Sequence, residues 1–204
     1  SQYFVIGESA LTLPVPVKSG YTFQGWFTEA GLTNQVTSPY TPSGDQTLYA
    51  KWAAGTYTVT YEYNGATGGN TTVSDSYTTG GTAITLPVPT KTGYTFGGWY
   101  EYSSLVVQAF SPYTANTNRT LYAKWIAPVY RVDYVYNGAT SGNTPAFSNY
   151  VFGSAGITLP TPAKTGYSFG GWYSDAGLTT QVSSPFTTGA AVTLYAKWIP
   201  PLTI

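Results

Sequence analysis

The chain has 204 residues, eight Lys plus Arg against eight Asp plus Glu for a formal net charge of zero, and no His, Cys or Met. With only 8% of residues charged it cannot neutralise a run of phosphates, which excludes nucleic-acid binding driven by counterion release. Six Trp, 20 Tyr and nine Phe also exclude a disordered tail, because so many rings must largely be buried.

Without Cys there is no disulfide framework and no thiol nucleophile, and with His also absent neither imidazole nor thiolate is present to hold a transition metal. No cofactor is expected. No side chain has an ordinary pKa between 5 and 8, and no thioether can be oxidised, so the composition suits an oxidising, pH-variable exterior. The expected location is extracellular or on the cell surface. No apolar stretch is long enough for a signal peptide or a membrane span, and a chain that begins at Ser1 is expected to be processed or a fragment.

The sequence repeats at a stride of 73 residues. Trp26, Trp99 and Trp172 keep this interval, as do Trp52, Trp125 and Trp198, Lys18, Lys91 and Lys164, Lys51, Lys124 and Lys197, and Pro39, Pro112 and Pro185. The repeats divide the chain into 1–52, 57–125 and 130–198, followed by a tail, 199–204, that starts to read like another repeat. The first repeat lacks the residues that would match the opening strand of the other two.

Each full repeat reads as strands. Tyr57 to Tyr63 alternates apolar and polar residues, the period-two pattern of a half-buried strand, and Tyr130 to Tyr136 does the same. An Asn-Gly-containing loop follows, from Asn64 to Asn70 and from Asn137 to Asn143, and then a second strand through Tyr77 or Tyr150. Leu86 to Gly93 has prolines two apart and a closing glycine, which leaves room for at most a short helical turn. The next strand is Gly93 to Tyr100, in which the recurring Gly25, Gly98 and Gly171 predict a bulge or a close approach by the neighbouring Trp. The closing strand, Thr120 to Trp125, sets Leu, Ala and Trp on one face and Tyr and Lys on the other.

Taken together, GYTFGGWY followed by TLYAKW and preceded by YTVTYEYNG resembles the B-repeat of internalin-type bacterial surface proteins, the Listeria-Bacteroides repeat. The resemblance covers nearly the whole chain. It implies a mainly β, β-grasp-like module with at most a short helix, strung in tandem in secreted or wall-attached proteins, and it implies no enzymatic activity.

The residues point the same way on catalysis. If an active site belonged to the module, its acids would recur at the stride, and no carboxylate does: Glu29 aligns with Tyr102 and Asp175, Glu62 with Val135, and Asp75 with Ser148. Glycoside hydrolysis needs two carboxyls at a fixed separation, and a hydroxyl nucleophile needs a base that His would normally supply. The acids are also too isolated for a calcium loop. The recurring lysines are expected to sit in turns (Lys18, Lys91, Lys164) and on an outward sheet face (Lys51, Lys124, Lys197).

The expected core comprises Trp26, Trp52, Trp99, Trp125, Trp172 and Trp198 with Tyr94, Phe96 and Leu121 and their equivalents. Tyr49, Tyr122 and Tyr195, beside Lys51, Lys124 and Lys197, form the candidate surface for sugars or protein partners. Asn70 and Asn118 match glycosylation acceptor motifs.

The links 53–56 and 126–129 are four residues each, which restricts swinging between modules and predicts a semi-rigid rod on the order of 90 Å for modules of about 11 Å radius of gyration. The expected function is a non-enzymatic spacer, stalk or adhesive segment of a microbial surface protein, whose partners are neighbouring repeats or subunits and surface glycans. Alternatively, a strand from a neighbour completes the first repeat in a self-assembling filament, with Leu202, Ile204, Tyr3 and Val5 as assembly contacts.

Overall fold

The computed structural model describes residues 2, 5, 9–69, 71–142 and 144–202. Of the expected assembly contacts, Tyr3 and Ile204 lie outside the described residues, as does the acceptor Asn70. Val5 and Leu202 are both well exposed.

The described residues hold fifteen strands and no helix. The first repeat carries β1 (Tyr21–Phe27), β2 (Gln35–Val36) and β3 (Tyr49–Ala54). The second carries β4 (Thr56–Glu62), β5 (Gly68–Gly69), β6 (Ser74–Thr78), β7 (Pro89–Thr90), β8 (Thr95–Tyr100), β9 (Gln108–Ala109) and β10 (Arg119–Ile126). The third carries β11 (Val129–Val135), β12 (Phe147–Val151), β13 (Ser168–Tyr173), β14 (Gln181–Val182) and β15 (Val192–Ile199). The short helical turn allowed after Leu86 does not form: with Pro87 and Pro89 unable to donate, the segment stays extended and β7 pairs with β5.

The chain resolves into two compact units, one of residues 1–64, 69–89 and 98–124, the other of residues 65–68, 90–97 and 125–204. The first unit contains the three-stranded sheet β2-β1-β3 and most of the five-stranded sheet β6-β4-β10-β8-β9. The second contains the five-stranded sheet β12-β11-β15-β13-β14. In both five-stranded sheets the opening and closing strands of a repeat lie side by side and parallel, Leu121 opposite Tyr61 and Leu194 opposite Tyr134, with antiparallel neighbours outside them.

The alternation in sequence becomes a two-sided sheet. Val59 and Tyr61 of β4 turn inward, as do Val132 and Tyr134 of β11, while the residues between them stay outside the core. Leu121, Leu194, Val59 and Val132 are fully buried, and burying such a side chain contributes about 1.5–3 kcal/mol. In the second unit Val132, Tyr134, Tyr150, Leu159, Trp172, Leu194 and Ala196 form one cluster.

The first repeat shows what the opening strand does. Closing strands β10 and β15 are eight residues long, but β3 has six and begins only at Tyr49. Residues 46–48, equivalent to the stretch of β10 that pairs with β4, lie outside any strand, and Leu48 is half-buried where Leu121 is sealed.

Candidate functional site

Three recurring devices hold the chemistry that the sequence placed at the stride. The first is the turn that leads into β1, β8 and β13. In each copy the Tyr N–H donates to the Lys carbonyl three residues back, at 3.0 Å, for Tyr21 and Lys18, Tyr94 and Lys91, and Tyr167 and Lys164. The glycine between them, Gly20, Gly93 or Gly166, has φ of +77°, +80° or +78°, the left-handed value that the third position of a type II turn requires. The turn folds each Lys Nζ over its own Tyr ring, at 4.0, 4.8 and 4.7 Å from the centroid. The ring of the closing Trp of the same repeat, Trp52, Trp125 or Trp198, lies at 6.0, 5.8 and 5.9 Å from the same Nζ. Lys164 also donates to the Asn137 carbonyl at 3.1 Å.

The second device is on the outer sheet face. Lys51, Lys124 and Lys197 lie over Phe27, Tyr100 and Tyr173 on the neighbouring strand, at 5.1, 5.0 and 4.8 Å. Tyr49 is 39% exposed, whereas Tyr122 and Tyr195 are half-buried, so the candidate sugar-stacking surface is open only in the first repeat. Tyr195 faces Tyr173 on β13 just as Tyr49 faces Phe27 on β1, but it also has Val135 of the opening strand β11 beside it, a neighbour that β3 lacks among the described residues. With Arg119 over Tyr102 and Arg131 over Phe147, all eight cationic side chains of the chain sit over a ring. A cation–π contact of this kind is worth about 0.5–1 kcal/mol at an exposed site, and periodicity in sequence gives no sign of which ring each cation meets.

The third device is the seam between successive repeats. In the first unit the Gly55 N–H donates to the Gly20 carbonyl at 2.8 Å, and the Thr79 N–H donates to the Gly55 carbonyl at 2.9 Å. This brings the turn after β6 onto the corner before β1: a Cβ on Gly20 would lie 2.8 Å from Thr79 Cγ2, and one on Gly80 would lie 3.0 Å from Tyr21 Oη. In the second unit the Phe152 N–H donates to the Pro128 carbonyl at 3.0 Å, and the Phe152 ring meets Tyr94 edge-on at 5.6 Å. A Cβ on Gly93 would run into the Phe152 ring, and Tyr94 Oη stands against Gly153.

The expected core residues divide. Trp99 and Trp172 are 2% and 3% exposed, and Leu121 is fully buried. Trp26, Trp52, Trp125, Trp198, Tyr94 and Phe96 are half-buried. Trp99 packs against Tyr61 and Tyr63, and Trp172 against Tyr134 and Tyr136, all from an opening strand and its exit. Trp26 has Phe23 as its ring partner. The three share one anchor, the indole N–H donating to the carbonyl of Pro14, Pro87 or Pro160 at 2.7–2.8 Å. The recurring glycines are at irregular registers in β1 and β13, and across the sheet the group that crowds Gly25, Gly98 and Gly171 is Gln35, Gln108 or Gln181.

Two carboxylates prove to do one job. Glu29 accepts from the Thr33 and Asn34 backbone N–H groups and the Thr28 and Thr33 hydroxyls, and the Thr28 hydroxyl foremost holds its pKa down at about 2. Asp175 caps the equivalent turn through Thr179 and Thr180, whose N–H groups lower its pKa as well. Asn118 accepts from the Thr58 N–H at 2.9 Å.

One cleft of about 410 Å³ is lined by Gly20, Tyr77, Thr79, Glu101, Tyr113 and Arg119, among others. Its carboxylate, Glu101, is already bound to Arg119 at 2.8 Å and to the Tyr113 hydroxyl at 3.3 Å, and no second acid lines the cleft to form a hydrolytic pair. No group of three or more acids that could hold a metal occurs among the described residues.

The profile of the Listeria-Bacteroides repeat domain matches residues 1–51, 57–124 and 130–197. Among similar proteins, one from Evansella cellulosilytica described as a Gly-rich membrane protein is 39% identical over 200 residues, 93% of this chain and 22% of that protein. A second membrane protein from the same organism is 40% identical over 157 residues, 74% of this chain and 22% of its own. Internalin H of Listeria monocytogenes is 38% identical over 89 residues, 42% of this chain and 15% of that protein. This chain thus spans about a fifth of the length of the first two. No solved structure gives a significant match.

Proposed function

We propose, for a chain that belongs to the Listeria-Bacteroides repeat family, that it serves as a non-catalytic, semi-rigid spacer in a bacterial surface protein. Tandem repeats of this family are typical of such proteins. The observation that carries the reading is the seam: at both junctions between repeats, a turn of the later repeat is pressed onto the Gly-Tyr corner of the earlier one. A linker of four residues fixed by backbone hydrogen bonds has little freedom to swing. The reading is supported by what the acids do, since Glu29 and Asp175 cap turns and Glu101, the carboxylate of the described cleft, is paired with Arg119.

Donor–acceptor energy transfer between dyes at residues 9 and 202 tests this. A narrow, long distance distribution that persists in moderate urea below the unfolding transition is expected of a spacer. A broad distribution centred on short distances would sink the reading.

The edge of β3 favours a second reading, in which an extended segment from another subunit lies parallel to residues 46–49. Among the described residues Leu48 and Tyr49 lack the neighbour that lies beside Leu121 and Tyr122, and an edge strand of this kind accepts a β-strand through its unpaired backbone groups. A peptide with the sequence of residues 56–63, added to the full chain, should slow amide exchange at 46–49. Unchanged exchange at a large peptide excess would remove this reading.

A further inference from the structure

The corner built from Lys164, Gly166 and Tyr167 has the same geometry as its two counterparts but a different environment. Gly166 has φ +78° beside +77° and +80° for Gly20 and Gly93, and Lys164 sits over Tyr167 as Lys91 sits over Tyr94. Yet a Cβ added to Gly166 would meet nothing within 4 Å among the described residues, whereas at Gly20 it would strike Thr79 and at Gly93 it would strike Phe152. Tyr167 is 46% exposed, while Tyr21 and Tyr94 are half-buried.

We infer that this corner is a docking surface for the turn of a further repeat of the same kind, joined through Pro200 and Pro201. Three observations fix the occupant. Both occupied corners are filled by the repeat that follows directly across a short linker, and by the same element of it, the residue pair Thr79-Gly80 or Phe152-Gly153. Residues 199–201, Ile-Pro-Pro, hold the register of Ile126-Ala127-Pro128, so a repeat continuing after Pro201 would enter from where Pro128 presents its carbonyl to Phe152. And the corner needs no rearrangement, because the glycine already has the φ that the occupied corners have and the lysine already holds the ring in place.

The complementary features are then specific. The glycine of the corner leaves room for the entering side chain, and the glycine of the entering pair lets its backbone come up against the Tyr hydroxyl, as Gly80 does at Tyr21 and Gly153 does at Tyr94. The entering residue is small or aromatic, Thr or Phe in the two cases present. An aromatic one adds an edge-on ring contact of the kind made by Phe152 and Tyr94. The surface selects a module bearing this pair, and a cationic residue there would be desolvated against a ring that already carries the Lys164 ammonium.

This inference rests on the spacer reading, and the test separates the two. The full chain is extended after Pro201 with a copy of residues 129–198, and hydroxyl-radical footprinting compares Tyr167 with Tyr94 in the same sample. In the unextended chain Tyr167 should react faster than Tyr94. In the extended chain its rate should fall to that of Tyr94, and the loss should disappear when Phe152→Lys is placed in the appended copy alone. Slow amide exchange at the Leu194 equivalent of the appended copy reports that the copy has folded. A folded copy beside a Tyr167 that stays as reactive as before overturns the inference, as does protection that appears in the unextended chain and grows with protein concentration, which would make a second molecule the occupant. Failure of the spacer reading is seen elsewhere, in the dye distances of the unextended chain, whatever happens at Tyr167.

Discussion

Gln181 folds its side-chain amide over Gly171, so that a Cβ on that glycine would sit 2.5 Å from Gln181 Nε2, while the same amide donates to the Gly170 carbonyl at 3.3 Å. The pairing explains two recurrences together: the glycine at 25, 98 and 171 and the glutamine at 35, 108 and 181. Gly171→Ala must both hold an L-residue at φ +99° and push the amide off its acceptor. It should cost about 1–3 kcal/mol for the backbone alone, read as a lower urea midpoint. Gln181→Ala in the Gly171→Ala background should add little, because the contact it loses is already broken; full additivity of the two losses would argue that the residues act separately.

Removing a sealed leucine should separate the complete repeats from the first. Leu194→Ala takes a fully buried side chain out of the second unit's core and should cost about 2–5 kcal/mol, whereas Leu48→Ala, at a half-buried position, should cost clearly less. Chemical denaturation followed by Trp fluorescence reads both, and equal losses would mean that the opening strand is not what seals this position.

Acid should loosen the turn after β1 late. The Thr28 hydroxyl, then the Thr33 hydroxyl and the Asn34 and Thr33 amides, hold Glu29 at about 2, below its ordinary 4.5. A carboxyl with a depressed folded-state pKa contributes its stability in full above 4.5 and loses it as pH falls toward about 2. The Thr33 and Asn34 amide resonances should therefore move with a midpoint near 2, and Glu29→Gln should flatten that titration. A midpoint at the ordinary value would contradict the hydrogen bonds at this turn.

The third repeat leaves a buried hydroxyl without a partner that the second repeat supplies. Tyr61 donates to Asp75 at 2.8 Å, whereas Tyr134 Oη, for which Ser148 stands at the position equivalent to Asp75, has no partner among the described residues. Ser148→Asp should give Tyr134 an acceptor and raise stability by about 1 kcal/mol at neutral pH. Thermal unfolding follows the effect, and a destabilised variant would refute the match.

Much of the fold was legible because it is local or periodic. The stride of 73, the alternation in Tyr57 to Tyr63 and the inward face of Leu121 and Ala123 need no knowledge of what lies across the sheet. What escaped depends on pairing between distant residues. The parallel neighbours β4 and β10 are brought together from 60 residues apart, and the glutamine that crowds each glycine lies ten residues downstream on the opposing strand. Glu29 and Asp175 were passed over for another reason: they align with each other, but Tyr102 occupies their position in the second repeat, so no acid recurs in all three copies although two of the three turns use one. The half-buried state of Tyr122 and Tyr195 likewise goes with the opening strand alongside, Glu62 opposite Tyr122 and Val135 opposite Tyr195, which alternation within a single strand cannot reveal.

The seating of every cation on a ring bears on the surroundings this molecule tolerates. Ion pairs between exposed side chains weaken as dissolved salt shortens the reach of charge to about 8 Å at 0.15 M and 3 Å at 1 M. A cation in contact with an aromatic face works at 4.0–6.0 Å, partly shielded from water by the ring itself, and only two pairs of opposite charge are present to be lost among the described residues. Its folded state should thus be nearly indifferent to ionic strength, from fresh water to brine.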